Sequence, residues 1–334
     1  MSLPPRTFLG YDESRAVPNI VVDGSPNEST VLTLSHWPGM AQPAGTSVDT
    51  SAEMAFAYLD RPLDDEPASV VTNNHFDQDG AAGIFALISP VEALAHRELL
   101  IDLARAGDFG TYRLRNAARA SMILNGLSDE SQPLTTANLC VDAGADTAAL
   151  YEGALPRLIE MLTDPAPYLD LWGAEDEVLS ESEQAITDGH VQITEHPDLD
   201  LAVVEIDAGQ PRRVGHRFGH MQVGPIHQMA VNNATDCSRI LMIHGRRFSY
   251  VDRYETWVQV HTTSPPQRVD LRPLAQTLSA AEDGSTTWSS GEPSGLTPTL
   301  VHDGESSLDP EAVVTRVRAH LATAPPAWDP YDVA

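Results

Sequence analysis

The sequence predicts an α/β chain, with a mostly parallel sheet flanked by helices in its N-terminal part and a smaller mixed α/β domain after it. Two observations carry this. In the first half, short apolar runs bounded by turn residues alternate with segments of helical periodicity, the order expected of strand–helix units in a parallel sheet. Past residue 180 the order changes to apolar runs paired around a turn signal. The 334 residues suffice for two domains, at roughly 150 residues each, and residues 1–180 and 181–334 are the expected division.

Each element has a local reason. Residues 1–19 are polar and contain proline, which predicts an irregular lead-in. Asn19-Ile20-Val21-Val22-Asp23-Gly24 reads as a buried strand stopped by a turn, and Val31 to Trp37 as a second strand ended by Pro38-Gly39. Asp49 or Thr50 can cap a helix over Ser51–Leu59, because a capping oxygen accepts a free amide of the first turn. Ser69-Val70-Val71-Thr72-Asn73 is a third strand, followed by a polar loop and a helix over Ala81–Leu87. A further helix is expected over Pro90–Ala106 and a short strand over Ala137–Val141. The acidic stretch Trp172–Thr187 is a surface helix or the connection between domains. Beyond it, His190–Thr194 and Leu201–Ile206 flank His196-Pro197-Asp198 as a hairpin. A helix at Ile226–Asn233, strands at Arg239–Ile243 and Thr256–Val260, and helices at Leu271–Ala281 and Pro310–Ala322 complete the reading.

Composition excludes more than it assigns. Forty-eight acidic residues stand against 20 basic ones, a net charge of −28, and every basic residue is arginine. Without lysine there is no Schiff base and no P-loop ammonium. The charge opposes broad contact with duplex nucleic acid, which needs counter-charge along the phosphates. No apolar run approaches the ~20 residues of a membrane span, and Met1–Arg6 lacks the pattern of a signal peptide, so a cytoplasmic location is expected. Two distant cysteines, Cys140 and Cys237, make no metal or disulfide motif and read as buried thiols.

Ligands of open parallel sheets bind outside the carboxyl ends of the strands. Three predicted strands deliver polar residues there: Asp23, His36, and the group His75, Asp77 and Asp79. The last group is the sharpest signal, with three potential ligands at alternating positions between a strand and a helix. Carboxylates with an imidazole suit a divalent cation such as manganese, and a pair of such ions can activate water for attack on phosphorus. Asp-x-Asp-Gly also occurs as plain helix capping. His216, His220 and His227 lie near one another in a glycine-rich stretch, where His216 and His220 can serve as donors to a phosphate. Ser35-His36 lacks the geometry of a nucleophile and its base, and no nucleophile elbow or dinucleotide loop is present.

The segment Val70-Val71-Thr72-Asn73-Asn74-His75-Phe76-Asp77-Gln78-Asp79-Gly80-Ala81-Ala82-Gly83-Ile84-Phe85-Ala86-Leu87 resembles the first motif of the DHH-family phosphoesterases: an apolar strand, a His-x-Asp-x-Asp loop, a small residue and a helix. The resemblance implies two domains with a cleft between them and hydrolysis of phosphoester or phosphoanhydride bonds with Mn2+ or Mg2+. By position, His75, Asp77 and Asp79 would be metal ligands and form the catalytic group. Ala106-Gly107-Asp108-Phe109 is similar to a later motif that adds a ligand, here Asp108, and His36 is a further metal-site candidate. Tyr254–Val260 followed by Arg268–Ala275 looks like the DHH-associated domain, in which Arg253 and Arg268 would hold a substrate phosphate. The chain departs from the family in having no Asp-His-His triplet and in replacing a glycine-rich, histidine-ending loop by Asp283–Trp288. The partners implied are a small phosphorylated substrate or short oligonucleotide, no membrane, and, left open, a second copy of the chain as a homodimer. The alternative is a non-catalytic nucleotide- or metal-binding protein derived from the same fold.

Overall fold

A computed structural model of the chain describes residues 6–40, 47–61, 68–128, 146–210 and 226–332. They divide into two compact units. The first is Met1–Asp176 with Gln259–Thr263, and the second is Glu177–Val258 with Ser264–Ala334.

In the first unit the elements run β1 (Thr7–Phe8), α1 (Tyr11–Ser14), β2 (Asn19–Val22), β3 (Thr30–Leu34), α2 (Ser51–Leu59), β4 (Val70–Thr72), α3 (Gln78–Ile88), α4 (Pro90–Ala95), α5 (Arg97–Asp108), α6 (Arg115–Ser128), α7 (Thr147–Ala154) and α8 (Leu158–Thr163), with α9 (Leu169–Thr187) crossing the division. The sheet order is β1-β4-β2-β3 and every pairing is parallel. Strand β2 is central, and its Ile20, Val21 and Val22 are fully buried. This explains the unbroken apolar run, since a strand covered on both faces has no polar side to show. Because the strands are parallel, β2, β3 and β4 all end on one edge, and Asp23, His36 and His75 follow those ends.

Helix α2 starts with a capping box: the Thr50 side chain accepts the Glu53 amide while Glu53 reaches back to the amide of Thr50. Helix α3 lies against β2 so closely that a Cβ on Gly83 would stand 2.5 Å from Val22 Cγ1 and 3.4 Å from Ala52 Cα. Glycine is therefore required there by contact rather than by backbone angle.

The second unit holds β5 (Val191–His196), β6 (Leu201–Ile206), α10 (Gln228–Ala234), β7 (Arg239–His244), β8 (Arg247–Asp252), β9 (Arg268–Val269), α11 (Arg272–Ala281), β10 (Trp288–Ser290), β11 (Thr299–His302), α12 (Pro310–Thr323) and β12 (Pro326–Trp328). Its six-stranded sheet is ordered β10-β11-β8-β7-β6-β5, with only β6 and β7 parallel. Alternate residues of β7 face opposite layers. Leu241 and Ile243 pack with Leu274 and Leu278 of α11 and Val313, Val317 and Leu321 of α12, while Ile240 and Met242 pack with Val231 and Cys237.

The structure corrects several expectations. The lead-in contains β1 and α1, and the helix expected over 90–106 breaks at His96 into α4 and α5. The strand expected at Thr256–Val260 is absent. There the chain turns, with Tyr254–Thr256 in a 3-10 helix and the Thr256 hydroxyl donating to the carbonyl of Arg253 at 2.7 Å. Strand β7 lies between β6 and β8, and its antiparallel connection to β8 runs through Gly245 at φ 61°. Helices α6, α7 and α8 had no expectation attached to them. The Ala137–Val141 strand lies outside the described residues, as does Cys140, whereas Cys237 is a buried free thiol. No helix among the described residues is long and apolar enough to cross a membrane.

Replacing Gly83 by alanine is expected to force α3 away from β2 and destabilise the first unit by about 1–3 kcal/mol, the usual range for overpacking. The check is the midpoint of urea unfolding followed by tryptophan fluorescence; an unchanged or raised midpoint would mean that the Val22 side chain yields freely.

Candidate metal centre

Six side chains meet at the carboxyl edge of the parallel sheet. Asp23, His36, Asp79 and Asp108 form one group, and Asp23, His75 and Asp77 form a second, each with potential ligand atoms within 4.8 Å of one another. Asp23 belongs to both.

Asp23 follows β2 in the left-handed region at φ 55°, a conformation a non-glycine residue rarely adopts. Its Oδ1 accepts the Ser51 hydroxyl at 2.8 Å, and its Oδ2 lies 3.4 Å from His75 Nε2. The side chain is 1% exposed. Positive φ at a non-glycine residue together with a buried carboxylate makes Asp23 a candidate functional position.

His36 is oriented from behind. Its Nδ1 lies 2.6 Å from the carbonyl oxygen of Asp49. A carbonyl only accepts, so Nδ1 carries the proton and Nε2 faces the acids. Asp108, Asp23 and Asp79 stand 3.2, 3.6 and 3.8 Å from that nitrogen. A ring whose far nitrogen is anchored on a carbonyl is the usual arrangement of a metal-ligating histidine.

Asp79 sits in the first turn of α3 and accepts the amides of Ser51 and Ala52, each at 2.7 Å, one on each oxygen. It thereby caps the N-terminus of α2, where free amides and the helix dipole favour a negative charge. Each oxygen keeps a second lone pair for a cation. Asp77 is the N-cap of α3, with Oδ1 accepting the Gly80 amide at 2.8 Å while Oδ2 meets His75 Nε2 at 2.9 Å. A Cβ on Gly80 would come within 2.3 Å of the Tyr151 hydroxyl, 2.5 Å of Asn73 Nδ2 and 2.9 Å of Asp77 Oδ1, so any larger residue there must displace side chains around this loop. Asp108 ends α5, where the helix dipole disfavours an anion, and its Oδ2 faces His36 Nε2 at 3.2 Å.

The two groups differ in access. His36 and Asp79 are 0% exposed and Asp108 6%, whereas the side chains of His75 and Asp77 are 33% and 25% exposed. The Trp37 ring packs on His75, with centroids 5.1 Å apart. One position is therefore closed and the other open to solvent.

Without a cation the imidazoles supply the counter-charge. Burial opposes a charge on His36, yet Asp108, Asp79 and Asp23 push it up to about 10. Burial opposes it on His75 too, and Asp77 and Asp23 raise that ring to about 11. Asp23 would be raised by burial but is drawn down to about 2 by the two rings and Ser51. Asp108 goes up to about 7, burial outweighing its contact with His36. Burial and neighbouring carboxylates raise Asp77 and Asp79 as well. The donor set fits divalent cations: four carboxylates carry the charge that two such ions neutralise, with one neutral imidazole per position. Mixed carboxylate oxygen and imidazole nitrogen suits manganese better than calcium.

All five sequence-proposed metal residues, His36, His75, Asp77, Asp79 and Asp108, are brought into these groups. Asp23, noted only as a strand-end residue, was missing from the ligand set; the Asp-Gly turn closing β2 was its signal. Ser51 and Asp49 gave none, because their part depends on which neighbour α2 meets.

Arg268 and Arg253, expected to hold a substrate phosphate, are both buried. Arg268 is 0% exposed, and its guanidinium donates to Thr256 Oγ1 at 2.6 Å and to the carbonyls of Pro293, Gly295 and Leu296. Arg253 is 5% exposed, donates to the carbonyls of Thr235 and Cys237 and pairs with Glu255 at 2.5 Å. Both are held within the fold of the second unit and present no surface to a phosphate. His216 and His220 lie outside the described residues.

Equilibrium dialysis against Mn2+ should give two equivalents per chain. His75→Ala is expected to lose one, and Asp23→Asn to weaken both, because it removes the shared carboxylate; identical stoichiometry in all three proteins would remove the two-position reading. At 100 times its dissociation constant, the cation should raise the wild-type unfolding free energy by about 2.7 kcal/mol for each position it fills, read from chemical unfolding with and without Mn2+.

No curated protein and no solved structure matches the chain. A family model, described as a family of unknown function (DUF6687), matches residues 4–332, and the chain belongs to that family.

Proposed function

We propose that this chain is a divalent-cation-dependent phosphoesterase, hydrolysing a phosphoester or phosphoanhydride bond of a small phosphorylated or nucleotide substrate. The observation that carries the reading is the pair of ligand groups joined through Asp23, one buried and one open. The resemblance of residues 70–87 to the first motif of the DHH-family phosphoesterases supports the same reaction class. Asp23, His36, Asp79 and Asp108 would hold one cation and Asp23, His75 and Asp77 the other. Manganese is the first choice and magnesium the second. When bound, such cations lower the pKa of water and offset charge on phosphoryl oxygens.

The chain's own residues position the reaction. Asp77, fixed by the Gly80 amide, holds His75 at the open edge, and Trp37 covers one face of that ring. Asp79 and the start of α2 fix the floor of the site. The net charge of −28 opposes a duplex substrate and favours one whose phosphate is met locally by the cations.

The test is Mn2+-dependent release of nitrophenol from bis(p-nitrophenyl) phosphate, extended to short oligonucleotides and cyclic dinucleotides. Turnover that disappears on chelation, returns with Mn2+ and is lost in Asp77→Ala is the expected outcome. Uptake of Mn2+ with no turnover on any of these substrates would leave a metal-binding protein without this activity.

A further inference from the structure

The buried position depends on a segment far away in sequence. Gln259–Thr263 belongs to the first unit although the residues on both sides of it belong to the second. The Gln259 amide donates to the carbonyl of His36 at 2.8 Å. The amides of His261 and Thr262 donate to Asp49 Oδ1 at 2.8 and 2.9 Å, and the Thr262 hydroxyl donates to Asp49 Oδ2. Asp49 Oδ2 also pairs with Arg105 at 3.2 Å, and the Asp49 amide donates to Glu53 at 3.0 Å. The carbonyl of this same Asp49 receives Nδ1–H of His36.

His36 is thus held at two points, its backbone carbonyl and its ring, and both lead to residues 259–262. Asp49 is 3% exposed and its carboxylate is engaged by four donors, far more than a loop aspartate before a helix needs, since Thr50 already provides the N-cap of α2. Rotation of the Asp49 peptide would move its carbonyl and free the ring to flip or change tautomer. Only the Nδ1–H form presents a lone pair at Nε2 to a cation.

We propose that Asp49 and Thr262 are positioning residues for the buried cation, clamping the Asp49 peptide so that His36 keeps its ligating tautomer. The inference rests on the metal-centre reading and adds that the last third of the chain controls occupancy of that position. It makes the site dependent on residues some 210 positions apart, which the sequence of either part alone does not contain.

The test uses the full chain with three substitutions. Thr262→Val removes the hydroxyl at constant shape, Asp49→Asn removes the charge, and Thr262→Ser retains the hydroxyl. Mn2+ affinity is measured by equilibrium dialysis, and the His36 tautomer by nitrogen-15 imidazole spectra of the protein loaded with diamagnetic Mg2+. Thr262→Val and Asp49→Asn should weaken one of the two equivalents by about tenfold or more, the usual effect of losing a partner behind a ligand, and should broaden or shift the His36 Nδ1–H signal. Thr262→Ser should resemble wild type. Asn19→Ala, which removes buried hydrogen bonds at the opposite end of β2, controls for loss of stability and should leave affinity unchanged. Wild-type affinity and an unaltered His36 signal in both Thr262→Val and Asp49→Asn would overturn the clamp while leaving the metal centre intact. Failure of the wild-type protein to take up any cation would overturn both.

Discussion

Four carboxylates are gathered at one sheet edge in two groups that share Asp23, the ligand atoms of each group lying within 4.8 Å of one another, and the first unit is organised around keeping them there. Like charges at such spacing and burial repel strongly, because neither water nor salt screens them. Each acid is therefore given a local reason to stay. Asp79 takes the first-turn amides of α2, Asp77 caps α3, and Asp23 takes the Ser51 hydroxyl. Asp108 has the imidazole of His36 and sits at the unfavourable end of its helix. A fold selected for stability alone would fill this space with apolar side chains, since buried charge clusters rarely add net stability.

The same constraint accounts for the local rule-breaking around the site. Asp23 occupies a backbone region normally left to glycine, and Gly80 and Gly83 stand where side chains would collide. By contrast, the guanidinium of Arg268 in the second unit has its donors filled by the Thr256 hydroxyl and the carbonyls of Pro293, Gly295 and Leu296. The resemblance to the DHH-associated domain made Arg253 and Arg268 candidates, and both side chains are buried.

Much of the site was legible because parallel strands end on one edge. Once Asn19–Val22, Val31–Leu34 and Val70–Thr72 are recognised as strands, the polar residues after them must be neighbours, and His36 and His75 follow directly. Asp108 was reached by resemblance, not by spacing. Asp23 could have been promoted by the same strand-end logic that found His36. Strand β8 of the second unit was less legible. Arg247–Asp252 mixes charged, aromatic and polar residues, yet all but one of its residues are buried, because it is an interior strand between β7 and β11. Thr256–Val260 looks apolar enough for a strand, but its polar contacts fold it into a turn.

By itself the sequence determined the alternation of strands and helices, the caps that start α2 and α3, the absence of lysine chemistry and the acids and imidazoles available at the strand ends. These depend on periodicity and on contacts within a few residues, which the order of amino acids specifies. Only the tertiary structure decided that Asp23 is shared, that His36 presents Nε2 rather than Nδ1, and that residues 259–262 stand behind Asp49. Those outcomes depend on contacts between segments tens to hundreds of residues apart, and no local pattern encodes which distant backbone amide a carboxylate will meet.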